Sequence, residues 1–357
     1  MSVTLGLAAL VAATGFATTG FATTAFATPA AARPAPSWKT FDTGVDARIR
    51  GLAAVSRWVA WVGNSAGGVL RTLDGGRTWQ QVGPPGTSDL QFRDIEAFDE
   101  RHAVVLAAGE GDLSRVYRTD DGGRTWTETF RNDEPRAFYD CMAFLDRWHG
   151  LALSDPVDGR FRILSTSDGG RSWRVLPTTG MPPALDGEFA FAASGTCLVT
   201  AARDDRSRDA WFATGGGSAS RVFHSTDGGR TWSVVTTPVP SGPTAGIYSL
   251  AFRDRHHGLA VGGDFTTPTQ APNGAALTRD GGRTWTVART VPGEYRSGVA
   301  WRTGDSAIAV GPTGSDLSRD GGRTWTRFDT GSFDAVACAG PRACWASGEH
   351  GRVAILT

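Results

Sequence analysis

The sequence predicts an all-β chain: a seven-bladed β-propeller of four-stranded antiparallel blades, the last closed by the N-terminal strand. Three observations carry that prediction. The phrase DGGR, followed by Thr or Ser and then Trp, occurs six times. The text between its copies reads as short strands. The two ends of the chain match the two sides of a copy that is otherwise missing.

The copies place aspartates at Asp74, Asp121, Asp168, Asp227, Asp280 and Asp320, 47, 47, 59, 53 and 40 residues apart. Their tryptophans are Trp79, Trp126, Trp173, Trp232, Trp285 and Trp325. A period of about 40–50 residues is that of propeller blades. Within each copy, Gly-Gly accepts positive φ while the aspartate bonds the backbone amides of its own turn. The Ser or Thr two residues earlier supplies a further hydroxyl. The tryptophan opens the next strand and offers a large ring to pack between sheets. These are structural tasks, and a single catalytic site has no use for six copies.

Segments such as DIEAFD, HAVVLAAG and SRVYRT lie between the copies, bounded by Gly, Asp and Asn. They read as strands, and no segment keeps a helical period. Each repeat is therefore four strands, with the box between the third and fourth. Ser37–Gly44, SWKTFDTG, matches Thr324–Gly331, TWTRFDTG, the strand just after the last box. Gly348–Thr357, GEHGRVAILT, matches a strand just before a box. The N-terminal segment should thus supply the outer strand of the last blade, which removes an exposed sheet edge.

Residues 1–32 read as a signal peptide and 33–357 as the propeller. An apolar run ends in Ala-rich sequence, with a small-residue cleavage site at Ala30–Ala32. No Lys or Arg precedes Arg33, so the basic n-region of an ordinary signal peptide is missing from the stretch. Gly and Thr interrupt the run well short of the roughly 20 residues of a membrane span. The expected location is secreted or extracytoplasmic, with membrane contact only through an uncleaved N-terminal segment. The 36 basic and 36 acidic residues balance, so no bulk field argues for nucleic acid or an anionic membrane. A monomer is expected.

The pattern [ST]-x-D-G-G-x-[TS]-W is the Asp-box, or BNR repeat. With its repeat length, blade number and phrases such as FRDRHHGLAVGGD, the chain resembles the photosystem II stability/assembly factor family and its non-photosynthetic bacterial relatives over residues 37–357. That resemblance implies a non-catalytic propeller binding a protein or peptide on its loop-rich face, through an arginine-rich surface; a glycan is the alternative partner. Some relatives carry an oxidoreductase label. However, no G-x-G-x-x-G follows a strand and opens a helix, and Gly215–Gly217 reads as a flexible turn. No cofactor is expected.

The fourth-to-first and second-to-third strand loops share one face, opposite the boxes. Aligning DIEAF, DCMAF, YSLAF, SGVAW and DAVAC as innermost strands places a ring of residues at the channel mouth. These are Arg50, Arg93 with Asp94, Tyr139 with Asp140, Glu188, Tyr248, Tyr295 with Arg296, and Asp334. Second strands end there with Asn64, Glu110, Asp155, Asp264, and Glu349 beside His350. Such a ring of carboxylates, arginines and tyrosines suits a polar ligand or peptide, though each residue alone also reads as a solvated loop or inter-blade partner. The stretch Ala202–Ser218 reads as a long second-to-third strand loop of the fourth blade, carrying Arg203, Arg206, Arg208 and the pair Trp211-Phe212.

An enzyme is the rival class, a sialidase- or xyloglucanase-like glycoside hydrolase using Asp94, Asp140, Glu188 or Asp334. Phe161–Leu164, FRIL, echoes the F-R-I-P motif of sialidases but lacks its proline and sits directly before a box. Xyloglucanases normally form a cleft between two propellers. Cys338 and Cys344 flank a hairpin turn at disulfide distance. Cys141 and Cys197 lie in adjacent blades and either pair or stay as buried thiols. The six histidines show no ligand spacing, so no metal is expected.

Overall fold

The computed structural model describes residues 1–12, 14, 15, 35–201 and 207–357. Residues 1–35 and 36–357 are separate compact units, and the described part of the first holds no helix or strand. The Ala30–Ala32 cleavage site lies outside the described residues. Among those described, no helix is long and apolar enough to cross a membrane.

The second unit holds seven four-stranded antiparallel sheets. Blade 1 runs outward through Ile49–Ala54, Ala60–Asn64, Val69–Thr72 and Gln80–Gln81. Blades 2 to 6 repeat this order, from inner strands Phe92–Ala97, Tyr139–Phe144, Leu198–Thr200, Ala245–Phe252 and Gly298–Thr303. Blade 7 takes Ala335–Cys338, Cys344–Ser347 and Val353–Leu356 from the C-terminal end and Trp38–Phe41 as its outer strand. Trp38 stands opposite Leu356 and Phe41 opposite Val353, so the expected closure is present. Each inner strand neighbours the next, and that of blade 7 neighbours that of blade 1.

The boxes show why the phrase is spelled as it is. Thr72 Oγ1 donates to Asp74 Oδ1 at 2.9 Å and accepts from the Gly76 amide at 2.9 Å. The Asp74 carboxylate also receives the Thr78 amide at 2.9 Å and the Thr78 hydroxyl at 2.7 Å. Gly75 and Gly76 sit at φ +76° and +86°, a conformation that a side chain would strain. The other five boxes repeat these bonds, from Thr119–Asp121 to Ser318–Asp320. The donors hold Asp121 and Asp168 down to about 2.

Apolar layers fill the spaces between blades. Trp232 packs with Phe161 of blade 3 and Phe212 of its own blade. Phe161, from the FRIL stretch, belongs to the third strand of blade 3, Arg160–Thr166, in this core. Two disulfides are formed. Cys338–Cys344 closes the blade 7 hairpin, and Cys141–Cys197 ties blade 3 to blade 4.

Candidate functional site

The first residues of the inner strands, and those just before them, converge on one end of the central channel. They surround a cavity of about 480 Å³. Arg48, Arg50 and Arg93 form one wall, from blades 1 and 2. Facing them are Phe191, Tyr248 and Tyr295, with Phe265 at the rim. Phe191 stacks on Tyr248 with ring centroids 3.8 Å apart, and Tyr295 meets Tyr248 edge-on at 4.7 Å. Tyr248 donates its hydroxyl to the Thr244 carbonyl at 2.7 Å. Burial holds both tyrosine hydroxyls well above their ordinary range, so both stay neutral.

Asp334 and Glu349 complete the wall, and both are engaged by Arg48. Its Nε reaches Asp334 Oδ2 at 2.8 Å, and Glu349 lies 3.3 Å from its Nη1. Arg50 has no such partner. Its Nε is buried without a hydrogen bond, and no carboxylate lies within ion-pair distance among the described residues. Arg93 rests on the neutral Gln91 amide oxygen, with Nη2 at 2.7 Å and Nε at 3.1 Å. Burial, then the neighbouring Arg50 cation, brings the Arg93 guanidinium down to about 10.

The floor is a segment of blade 4. Ser194 donates to the Ser297 carbonyl of blade 6 at 2.7 Å, and Thr196 shares a 2.6 Å hydroxyl contact with Ser249 of blade 5. Between them, Gly195 abuts Asp94 of blade 2. A Cβ there would stand 2.5 Å from Asp94 Oδ1, at φ +74°, so only glycine fits. The segment thus crosses the axis and plugs the channel beneath the cavity.

Carboxyls of blades 2 and 3 line this plugged zone. Asp94 accepts the Met142 amide at 2.5 Å, yet burial raises it well above the usual carboxylate range. Burial also brings Glu96 up to about 7. Burial, then the neighbouring Asp155 charge, raises Asp140 well above the usual carboxylate range, and burial brings Asp155 up to about 7. Asp155 meanwhile accepts the Ala190 amide at 2.8 Å.

Of the residues expected at the mouth, the structure brings together Arg50, Arg93, Tyr248, Tyr295, Asp334 and Glu349. Others are spent elsewhere. Arg296 is fully buried and holds Asp316 at 2.7 Å, a link inside blade 6 rather than a ligand contact. Tyr139 is fully buried against Phe130. Asp264 is tied to its own loop through Thr244 and Thr266. Asn64 caps its turn through the Ala66 and Gly68 amides, and His350 contacts Asp46 at 2.7 Å.

Glu188 precedes the inner strand of blade 4 by ten residues instead of heading it, and it is consumed by Arg221 and Thr214. Trp211 is fully buried between blades 4 and 5, stacked 3.8 Å from Phe252 and donating to the Gly281 carbonyl. The stretch read as a loop from Ala202 to Ser218 contains the second strand, Ala210–Ala213. Arg208 therefore lies just before that strand, against the box glycine Gly228 on the opposite face. Arg203 and Arg206 lie outside the described residues.

Arg48 and Phe191 were missed. Arg48 and Arg50 stand two apart at the head of the blade 1 inner strand, and both line the cavity. That spacing was the available signal.

The BNR/Asp-box repeat model matches residues 223–234, the fourth box with its preceding strand end. No curated protein sequence matches the chain. Among solved structures, YCF48 bound to D1 peptide is 15% identical, with a TM-score of 0.62 over 89% of this chain and 94% of that one. YCF48 from Cyanidioschyzon merolae is 17% identical, with a TM-score of 0.60 over 89% and 98%. The Neurospora crassa Pan2 WD40 domain is 12% identical, with a TM-score of 0.60 over 87% and 89%. Box chemistry, seven blades and these likenesses together make the chain an Asp-box β-propeller resembling the photosystem II assembly factor YCF48.

Proposed function

We propose that the chain is an extracytoplasmic, non-catalytic propeller that binds a protein or peptide partner over the mouth of its channel, residues 1–32 serving as a removable signal peptide. The cavity carries this reading: cations without partners face an aromatic wall, an arrangement suited to holding a chain segment. The similar fold of YCF48 bound to D1 peptide supports a peptide on such a scaffold. The two disulfides accord with an oxidising compartment.

Hydrolysis is disfavoured by how the acids are used. Asp94 and Asp140 are buried, Glu188 is bonded to Arg221, and Asp334 is bonded to Arg48. No two of these four face the cavity as a free acid and base.

The test is to pan a displayed peptide library on the purified protein, alongside a panel of chromogenic glycosides. Enriched peptides that lose binding in Tyr248→Ala, with no turnover, are expected. Turnover abolished by Asp140→Asn would overturn the reading, as would a library returning no binders.

A further inference from the structure

We propose that the cavity is a carboxylate site, Arg50 and Arg93 clamping the anion while an apolar side chain next to it lies on the Phe191–Tyr248 stack. This rests on the partner-binding reading and names the chemical group that the partner must present.

The charge inventory requires an anion. Three guanidiniums crowd one wall, and the two carboxylates of the cavity, Asp334 and Glu349, both serve Arg48. Asp140, the acid whose charge reaches Arg93, forms no ion pair with it, and burial holds that acid well above the usual carboxylate range. Arg50 and Arg93 are thus two half-buried cations beside each other without a counter-ion among the described residues. An uncompensated buried charge is costly, and folds keep one where a ligand supplies the balance. Arg50 Nε is a donor already desolvated and unfilled. Gln91 fixes Arg93 by its Nε edge and one Nη, leaving its other Nη free.

The opposite wall selects what accompanies the anion. Phe191, Tyr248 and Tyr295 make a continuous aromatic surface whose hydroxyls are neutral and, for Tyr248, turned to the Thr244 carbonyl. Phe265, 52% exposed, extends that surface at the rim. The plug under Phe191 sets the depth, so a chain end or single side chain enters and nothing passes through. A planar carboxylate matches a pair of guanidinium forks. Its source is either the free C-terminus of a peptide or an Asp or Glu side chain flanked by an apolar residue.

Both sources can be told apart with N-terminally fluorescein-labelled octapeptides in an anisotropy titration of the full chain. One peptide is Ala-rich and ends in Leu-Phe as the free acid, the second is its C-terminal amide, and the third is the amide with Glu beside an internal Phe. Binding of the free acid, weakened about tenfold or more by amidation, assigns a chain terminus. Binding of the third peptide but not the second assigns a side chain. Arg50→Gln and Arg93→Gln should each weaken the binding form about tenfold while leaving the melting temperature unchanged or higher, because each removes an uncompensated charge. Equal binding of the acid and both amides would overturn the carboxylate assignment and leave the partner reading standing. So would displacement by inorganic phosphate at lower concentration than by acetate. Failure of all three peptides, together with an empty library selection, would overturn both.

Discussion

Trp38 Nε1 donates a hydrogen bond to Ser315 Oγ at 3.0 Å, across the boundary between blade 7 and blade 6. The same ring lies against Phe333 and Phe328. Phe41, three residues on, points to the other side of the strand, toward Trp345 and the box glycine Gly76 of blade 1. Strand alternation thus gives one ring to each neighbouring blade.

Removing residues 1–44 should therefore loosen both boundaries and bare the edge of Val353–Leu356. The expected product melts far below the parent and aggregates, whereas a chain lacking only 1–35 melts like the parent. Scanning calorimetry and light scattering on the two truncations check this. A stable monomer starting at Val45 would rule out the closure.

Trp232 is buried in the core shared by blades 3 and 4. Trp232→Ala should lose about 3–5 kcal/mol in urea unfolding, as expected for truncating a buried aromatic. The folded fraction should bind the same peptides with unchanged affinity. A loss of binding at parental stability would make the box part of the site.

Stability should decline as the solution becomes less acidic. Burial raises Glu96 from an ordinary 4.5 to about 7, so the folded chain keeps a proton that the unfolded chain releases. Stability then falls as pH climbs from about 4.5 to 7 and levels off above that. The raised Asp94, Asp140 and Asp155 act in the same direction, and His224, held down by burial, opposes them. Glu96→Gln should gain on the parent by on the order of 2 kcal/mol between pH 5 and pH 8. Parallel pH profiles in urea titrations would contradict this.

The two disulfides should differ in worth. Cys141–Cys197 closes a loop of 56 residues and Cys338–Cys344 one of 6. Loop-closure entropy predicts about 4 kcal/mol for the first and about 2 kcal/mol for the second. Double serine variants at each pair, unfolded in urea, should rank in that order.

The fold was legible because each box is a self-contained local code. Asp227 finds its donors within four residues, so turn, hydroxyl and ring can be read without knowing the neighbours. The site was legible only where a blade keeps the common pattern. Arg50 and Arg296 look alike in aligned inner strands, but Asp316, twenty residues later, consumes Arg296. Blade 4 departs most. Its inner strand has only three residues, because the preceding segment is diverted across the axis to Asp94 and Ser297. That diversion misled the placement of Glu188 and Trp211, and nothing local in Ser194-Gly195-Thr196 announces it.

The pairing of Ser37 with Thr357, 320 residues apart, also sets an order of events in folding. A chain emerging N-terminus first presents Trp38–Phe41 early and must leave that strand single until Val353–Leu356 arrives. Meanwhile six blades can form as an open arc with a raw edge at either end. Such long-range closure is slow and exposes the growing protein to strand exchange with its copies. The latch that secures the finished ring is therefore also its period of greatest vulnerability, and a holding factor would matter most before Leu356 is in place.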